Sequence, residues 1–179
     1  MVKIKKKEKY SNFKNINGHH LKLYIDYKPI SLKVVVLNST KALYKECTAL
    51  GLFLGLDIVF LGLSAEPLNI IVVLCIFLLC YRICITAMEE NLVIIKGLGI
   101  HIKTKYIVGS RTLFIPQEKV QNIFINEVIL KNKVVFMLTL LSSDENTKEL
   151  LIPLFVETLP RLGMLTVVYS FTRKFIQEC

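Results

Sequence analysis

The chain has 179 residues, 53% of them hydrophobic and 21% charged, with a formal net charge of +9. So apolar a composition excludes a disordered tail, and at about 100 to 200 residues per domain the length leaves no room for a two-lobed nucleotide-dependent enzyme or a multi-span transporter. A charged share below the usual ~25% together with high apolar content points to a membrane-associated protein.

Residues 1–46 hold eleven lysines against Glu8, Asp26 and Glu46, a net of +8, and the opening run is Lys3, Lys5, Lys6, Lys7 and Lys9. Basic residues flanking a span mark the cytoplasmic side, so this segment is expected in the cytosol, drawn to anionic headgroups. The first apolar block begins only at about Leu43, too far from the basic run for a cleavable signal. A lysine run also fits a nucleic-acid site, but no aromatic-studded sheet motif, helix-turn-helix or zinc knuckle accompanies it, and no nucleic-acid partner is expected. Leu21 to Ile25 and Leu32 to Leu37 read as short strands around Pro29 that could dock on a later sheet. Asn38-Ser39-Thr40 forms an N-glycosylation acceptor; a glycan there would reverse the expected topology.

Leu43 to Leu63 and Leu68 to Met88 are two apolar blocks separated by Ser64-Ala65-Glu66-Pro67. As helices rising ~1.5 Å per residue each would cover about 31 Å, near the ~30 Å of a bilayer core. Residues 47–88 are therefore predicted to form a two-helix transmembrane hairpin, with both termini on the cytosolic side. Ile70 to Leu79 holds no polar residue, whereas Asp57 interrupts the first block. A charge at bilayer depth costs ~2.5–3.5 kcal/mol on insertion scales, so Asp57 is expected to be protonated, paired or near an interface, while Arg82 reaches back to the headgroups. Gly51, Gly55 and Gly62 would allow close helix contact. Cys47, Cys75, Cys80, Cys84 and Cys179 include no C-x-x-C pair. A zinc site needs four ligands, and with only His19, His20 and His101 to add, no metal, cofactor or disulfide is expected. Apolar packing or reversible acylation fits these cysteines better.

Beyond Met88 the period changes to two. Leu92 to Ile95 precedes a turn at Lys96-Gly97-Leu98-Gly99, after which Ile100, Ile102, Thr104, Tyr106 and Val108 alternate with His101, Lys103, Lys105 and Ile107. Arg111 to Ile115, Val120 to Leu130, Val134 to Leu141 and Leu150 to Phe155 continue the pattern as an antiparallel meander. Thr158-Leu159-Pro160 then opens a helix, with proline suited to the first turn. Leu162, Leu165, Val168, Tyr169 and Ile176 give it one apolar line, and Met164, Val167, Phe171 and Phe175 a second. The predicted architecture is an α+β membrane protein: a transmembrane hairpin followed by a pleckstrin-homology-like antiparallel β-sheet domain, residues 89–179, with a C-terminal amphipathic helix.

No catalytic motif emerges. G-x-S-x-G and G-x-x-x-x-G-K are absent, and Gly97-x-Gly99 lacks the third glycine of a dinucleotide loop. Glu89-Glu90 is an adjacent acidic pair, but neighbours on a strand face opposite ways, so a hinge between span and domain fits better than acid–base catalysis.

The residues do resemble a known family. Glu90-Asn91-Leu92-Val93-Ile94-Ile95, Leu98-Gly99-Ile100, Phe114-Ile115, Lys119-Val120, Ile123 to Ile129, Pro153-Leu154-Phe155 and Pro160-Arg161-Leu162 with Tyr169 are similar, in order and spacing, to the PIG-H family. What the resemblance implies is a non-catalytic subunit of phosphatidylinositol N-acetylglucosaminyltransferase. That complex of the endoplasmic reticulum membrane moves GlcNAc from UDP-GlcNAc to phosphatidylinositol in the first step of GPI-anchor synthesis. The partners implied are the catalytic PIG-A subunit, the other subunits and the lipid bilayer. Asn126 and Glu127, then Pro160 and Arg161, are the candidate contact residues. The alternative is a membrane-anchored module that binds phosphoinositides directly.

Overall fold

A computed structural model describes residues 6–38, 48–49, 51–52, 66–130, 132–143 and 149–177. Six strands run in chain order as one antiparallel meander: β1 (Lys6–Lys14), β2 (His20–Tyr27), β3 (Ser31–Asn38), β4 (Ala87–Ile95), β5 (Gly99–Tyr106) and β6 (Ser110–Pro116). A second antiparallel sheet holds β7 (Val120–Leu130), β8 (Lys133–Ser143) and β9 (Glu149–Leu154). Helix α1 (Glu66–Ile85) enters β4, and α2 (Leu162–Gln177) ends the described chain.

Period-two alternation explains the first sheet. Leu21, Leu23 and Ile25 of β2, Leu32, Val34 and Val36 of β3, and Leu92 and Ile94 of β4 are all buried, and their registers set them in cross-strand rows such as Ile25, Val34, Leu92, Ile102 and Leu113. A slip of one residue would turn every one of these side chains to the other face. The opposite face carries Lys22, Lys33, His101, Lys103 and Lys105 in the alternating positions.

The second sheet shares that core through α2. Met164, Leu165, Val168, Thr172 and Phe175 form its buried line, and the helix touches β3 as well as β7 and β8. Phe175 is fully buried; its ring meets Tyr27 edge-on at 5.5 Å, and the Lys96 ammonium lies 5.2 Å from its centroid. Strand β8 lies between β7 and β9, and its consecutive residues Met137 to Leu140 are all buried. A strand covered on both faces needs no polar alternation, which is why its sequence, Val134 to Leu141, is a continuous run.

The β4–β5 turn depends on Gly99. Its φ is +141°, and a Cβ there would stand 2.2 Å from the Ile115 carbonyl oxygen, so only glycine fits where β6 crosses so close.

Three expectations change. The two-helix transmembrane hairpin over 47–88 is overturned. Its first block lies mostly outside the described residues, with Gly55, Asp57 and Gly62. The second is α1, a single helix that runs directly into β4. Among the described residues no helix is long and apolar enough to cross a membrane. Hydropathy along the chain measured composition, whereas the described structure is mostly antiparallel β-sheet. The β part is, second, two antiparallel sheets and not one curved sheet, with the amphipathic C-terminal helix where the sequence placed it. Third, residues 6–14 are strand β1, paired to β2 from Lys6↔Tyr27 to Lys14↔His20. Because β3 pairs with β4, strands from both sides of α1 form one sheet. Asn38, first in the glycosylation triplet, ends β3 and donates from Nδ2 to the Ala87 carbonyl at 3.4 Å; Ser39 and Thr40 lie outside the described residues.

Phe175→Ala is expected to lower unfolding stability by about 3–5 kcal/mol, the usual cost of deleting a buried phenylalanine. Urea denaturation measures it; a loss below about 1 kcal/mol would mean that α2 is not the wedge between the sheets.

Candidate functional site

One acid breaks the apolar face of the first sheet. Leu23, Val36, Glu90, Thr104 and Arg111 form a cross-strand row, and Glu90 in its middle is only 5% exposed. A buried carboxylate without partners would be prohibitively costly. Glu90 has three: Oε2 accepts from the Thr158 backbone N–H at 3.0 Å and from the Thr158 hydroxyl, and Oε1 accepts from the Glu157 N–H at 3.3 Å. The loop it grips is strained, with positive φ at Phe155 (57°) and Leu159 (42°). Such non-glycine conformations cost ~1–3 kcal/mol each and need outside contacts to persist. Thr158, which supplies two of the donors, is 1% exposed.

Burial pushes the Glu90 carboxyl above its ordinary value, and the nearby Glu157 charge adds to that, while the hydrogen bonds from Thr158 and Glu157 pull the other way. The carboxyl therefore takes up a proton more readily than an exposed glutamate.

In front of Glu90 lies a cleft of 310 Å³, walled by Ile102, Arg111 and Leu113 from β5 and β6 and by Ile152, Pro153 and Phe155 from β9 and the loop after it. Tyr106 and Glu157 stand at the same cleft, and the Tyr106 hydroxyl donates to Glu157 Oε1 at 3.3 Å. Burial first, and then the Glu157 charge, raise the Tyr106 hydroxyl, while the Arg111 charge opposes them. The cleft thus offers an apolar floor and one cation, Arg111. Its acids are engaged within the protein, buried Glu90 by the loop and exposed Glu157 by Tyr106. Among the described residues no group of three or more His, Cys, Asp or Glu side chains is placed to hold a metal ion.

The four residues singled out from the sequence fall on two elements. Asn126 and Glu127 sit on β7, opposite Met137 and Phe136 of β8, the first half-buried and the second exposed. Pro160 is buried and bridges Asn15. Arg161 donates from Nε to the Asn15 carbonyl at 3.1 Å and from its backbone N–H to the Lys14 carbonyl at 3.3 Å. Pro160 and Arg161 therefore clasp the start of α2 to the end of β1. None of the four lines the Glu90 cleft. Glu90 itself was visible as half of an acidic pair and as the first residue of a family-like block, with no role attached to its side chain. Its parity with Leu92 and Ile94 was the available signal, because residues two and four apart on a strand share a face. Glu89 points the other way, its Oε1 accepting from Asn91 Nδ2 at 2.9 Å.

Two β-meanders packed on a C-terminal helix, with a braced loop and an open cleft between sheet edges, define the class of protein. Comparison with known proteins narrows this. Residues 91–156, from β4 to the loop after β9, match the sequence model described as "GPI-GlcNAc transferase complex, PIG-H component". It is 36% identical over 85 residues to a mouse protein named as a subunit of phosphatidylinositol N-acetylglucosaminyltransferase, covering 45% of each chain. Over 92 residues it is 35% identical to the human protein of the same name and 34% to the bovine one, covering 49% of each chain. The matched stretch thus spans about half the length of these relatives. No solved structure matches the chain.

Two outcomes test the brace. Glu90→Ala strands buried donors at ~1–3 kcal/mol each, so a loss of about 2 kcal/mol or more is expected in denaturant titration. The second concerns pH. The folded carboxyl binds its proton more tightly than the unfolded one, so its contribution to stability is greatest below the ordinary value of 4.5 and declines as pH rises to the folded value. Glu90→Gln removes that decline. An identical pH profile for wild type and Glu90→Gln would show that the carboxyl does not titrate in this way.

Proposed function

We propose that the protein is a non-catalytic subunit of the GPI-GlcNAc transferase, the complex that moves GlcNAc from UDP-GlcNAc to phosphatidylinositol, and that it holds and positions the catalytic PIG-A subunit. The observation that carries this reading is the family match over residues 91–156, which supplies most of the cleft walls, with Glu90 and Glu157 flanking it on either side. The chemistry of that cleft agrees with placement: the Glu90 oxygens accept from its own loop, and Glu157 accepts from Tyr106. Work at the cytosolic face of the endoplasmic reticulum membrane belongs to the same proposal. Confining a reaction to a surface raises effective concentration without adding chemistry.

A second reading, direct binding of phosphoinositide headgroups, draws on the outward face of the first sheet, where Lys22, Lys33, Lys103 and Lys105 stand in alternating positions on β2, β3 and β5. Clustered lysines of this kind attract anionic lipid, and salt weakens the attraction.

Affinity purification of the tagged full-length chain in mild detergent separates the two. Co-purification of PIG-A, with transferase activity present in the assembly and absent from this chain alone, is the expected result. Activity in the chain alone would overturn the non-catalytic role. Saturable flotation with phosphoinositide vesicles, without PIG-A recovery, would favour the second reading.

A further inference from the structure

Four edge strands border the two sheets: β1 and β6 on the first, β7 and β9 on the second. An edge presents unpaired backbone groups and recruits another strand unless bulges, lysines, proline or a covering element prevent it. Strand β1 has an irregularity between Tyr10 and Phe13 in a lysine-rich sequence. In β7 the register shifts between Val120 and Asn122, and α2 packs against it. Strand β9 contains Pro153, which has no N–H to contribute. Strand β6 has no bulge and no lysine, its one charge is Arg111 near its start, and its proline, Pro116, comes only at its last position, so Thr112-Leu113-Phe114-Ile115 stands open. Leu113 and Phe114, which point to opposite faces, are 44% and 48% exposed. Among the described residues β5 is the only strand paired with it.

This edge borders the cleft. Arg111 and Leu113 form part of its wall, facing Ile152 and Pro153 of β9. We propose that β6 accepts an extended segment of a partner polypeptide as a seventh strand of the sheet, with alternate apolar side chains of that segment entering the cleft and a carboxylate meeting Arg111. The inference rests on the reading of this chain as a subunit that holds another.

The occupant follows from the chemistry of the edge. A row of backbone donors and acceptors is matched by another backbone, with pockets for alternate side chains giving specificity; a small molecule or a lipid headgroup cannot satisfy it along its length. The seven residues of β6 make an edge of about 23 Å. A second copy of this chain is a poor occupant, since each copy carries +9 and like fields repel. The same charge favours a segment carrying acidic groups, and Arg111 supplies the cation at the cleft itself.

The test uses the full-length chain co-expressed with the other transferase subunits and purified through its tag in mild detergent. Leu113→Glu and, separately, Phe114→Glu are expected to lower recovery of the partner subunits by about tenfold or more while leaving the thermal midpoint of the purified chain unchanged. Ile129→Glu, at a position 78% exposed on β7, is expected to leave recovery as in wild type. Hydrogen exchange on the assembled complex is expected to protect β6 amides that exchange freely in the isolated chain. Normal recovery with both β6 variants overturns this inference alone, as does protection of β6 that accompanies only self-association. Wild-type chain that recovers no transferase subunit overturns the functional reading, and this inference with it.

Discussion

The carboxyl of Glu90 joins parts of the molecule that no continuous run of sequence connects. It stands in the apolar face of the first sheet, yet its bonds go to Glu157 and Thr158, in the loop that leads from the second sheet into α2. Where that loop turns decides where α2 begins, and α2 is the wedge on which both sheets pack. One buried acid therefore governs how the two meanders face each other. The positive φ angles at Phe155 and Leu159 are held because the donors between them have an acceptor to reach.

A second clasp acts from the other end of the same loop. The Pro160 bridge to Asn15 and the Arg161 bonds to Asn15 and Lys14 tie the start of α2 to β1, so the loop is fixed at both ends. Asn15 is itself buried, and its side-chain oxygen accepts from the His19 N–H at 2.8 Å, closing the β1–β2 turn. The first strands, α2 and the second sheet thus depend on one another although residues 15 and 161 are distant in sequence. The cleft opens beside the first of these clasps, between β5 and β6 on one side and β9 with the loop after it on the other.

Much of the strand pattern was legible. Alternation marked β2 to β6, and turn residues such as Gly97, Gly99 and Gly109, all with positive φ, marked where strands end. β1 was not legible, because Lys6 to Lys14 is lysine-rich with few apolar residues, and an edge strand needs little burial to be held by backbone pairing to β2. The apolar stretch over 68–88 suggests a membrane span because a continuous apolar helix has the same composition wherever it lies. Pro160 and Arg161 carry an internal role that the sequence did not show, since their bonds go to Asn15 and Lys14 at the far end of the chain. Asn126 and Glu127 on β7 face opposite ways as strand alternation requires, the first half-buried and the second exposed.

Local chemistry was enough to determine the period of most strands, the positions of the turns, the amphipathic character of the C-terminal helix and the ordered blocks that resemble the PIG-H family, since each depends on residues within a few positions of one another. Only the tertiary structure decided that the strands form two sheets instead of one, that Glu90 faces inward to brace a loop almost seventy residues away, and that β6 is left as the unprotected edge beside an open cleft. Those outcomes depend on which surfaces meet, and the free energy of burying a polar group or leaving an edge unpaired is set by neighbours that the chain brings together only on folding.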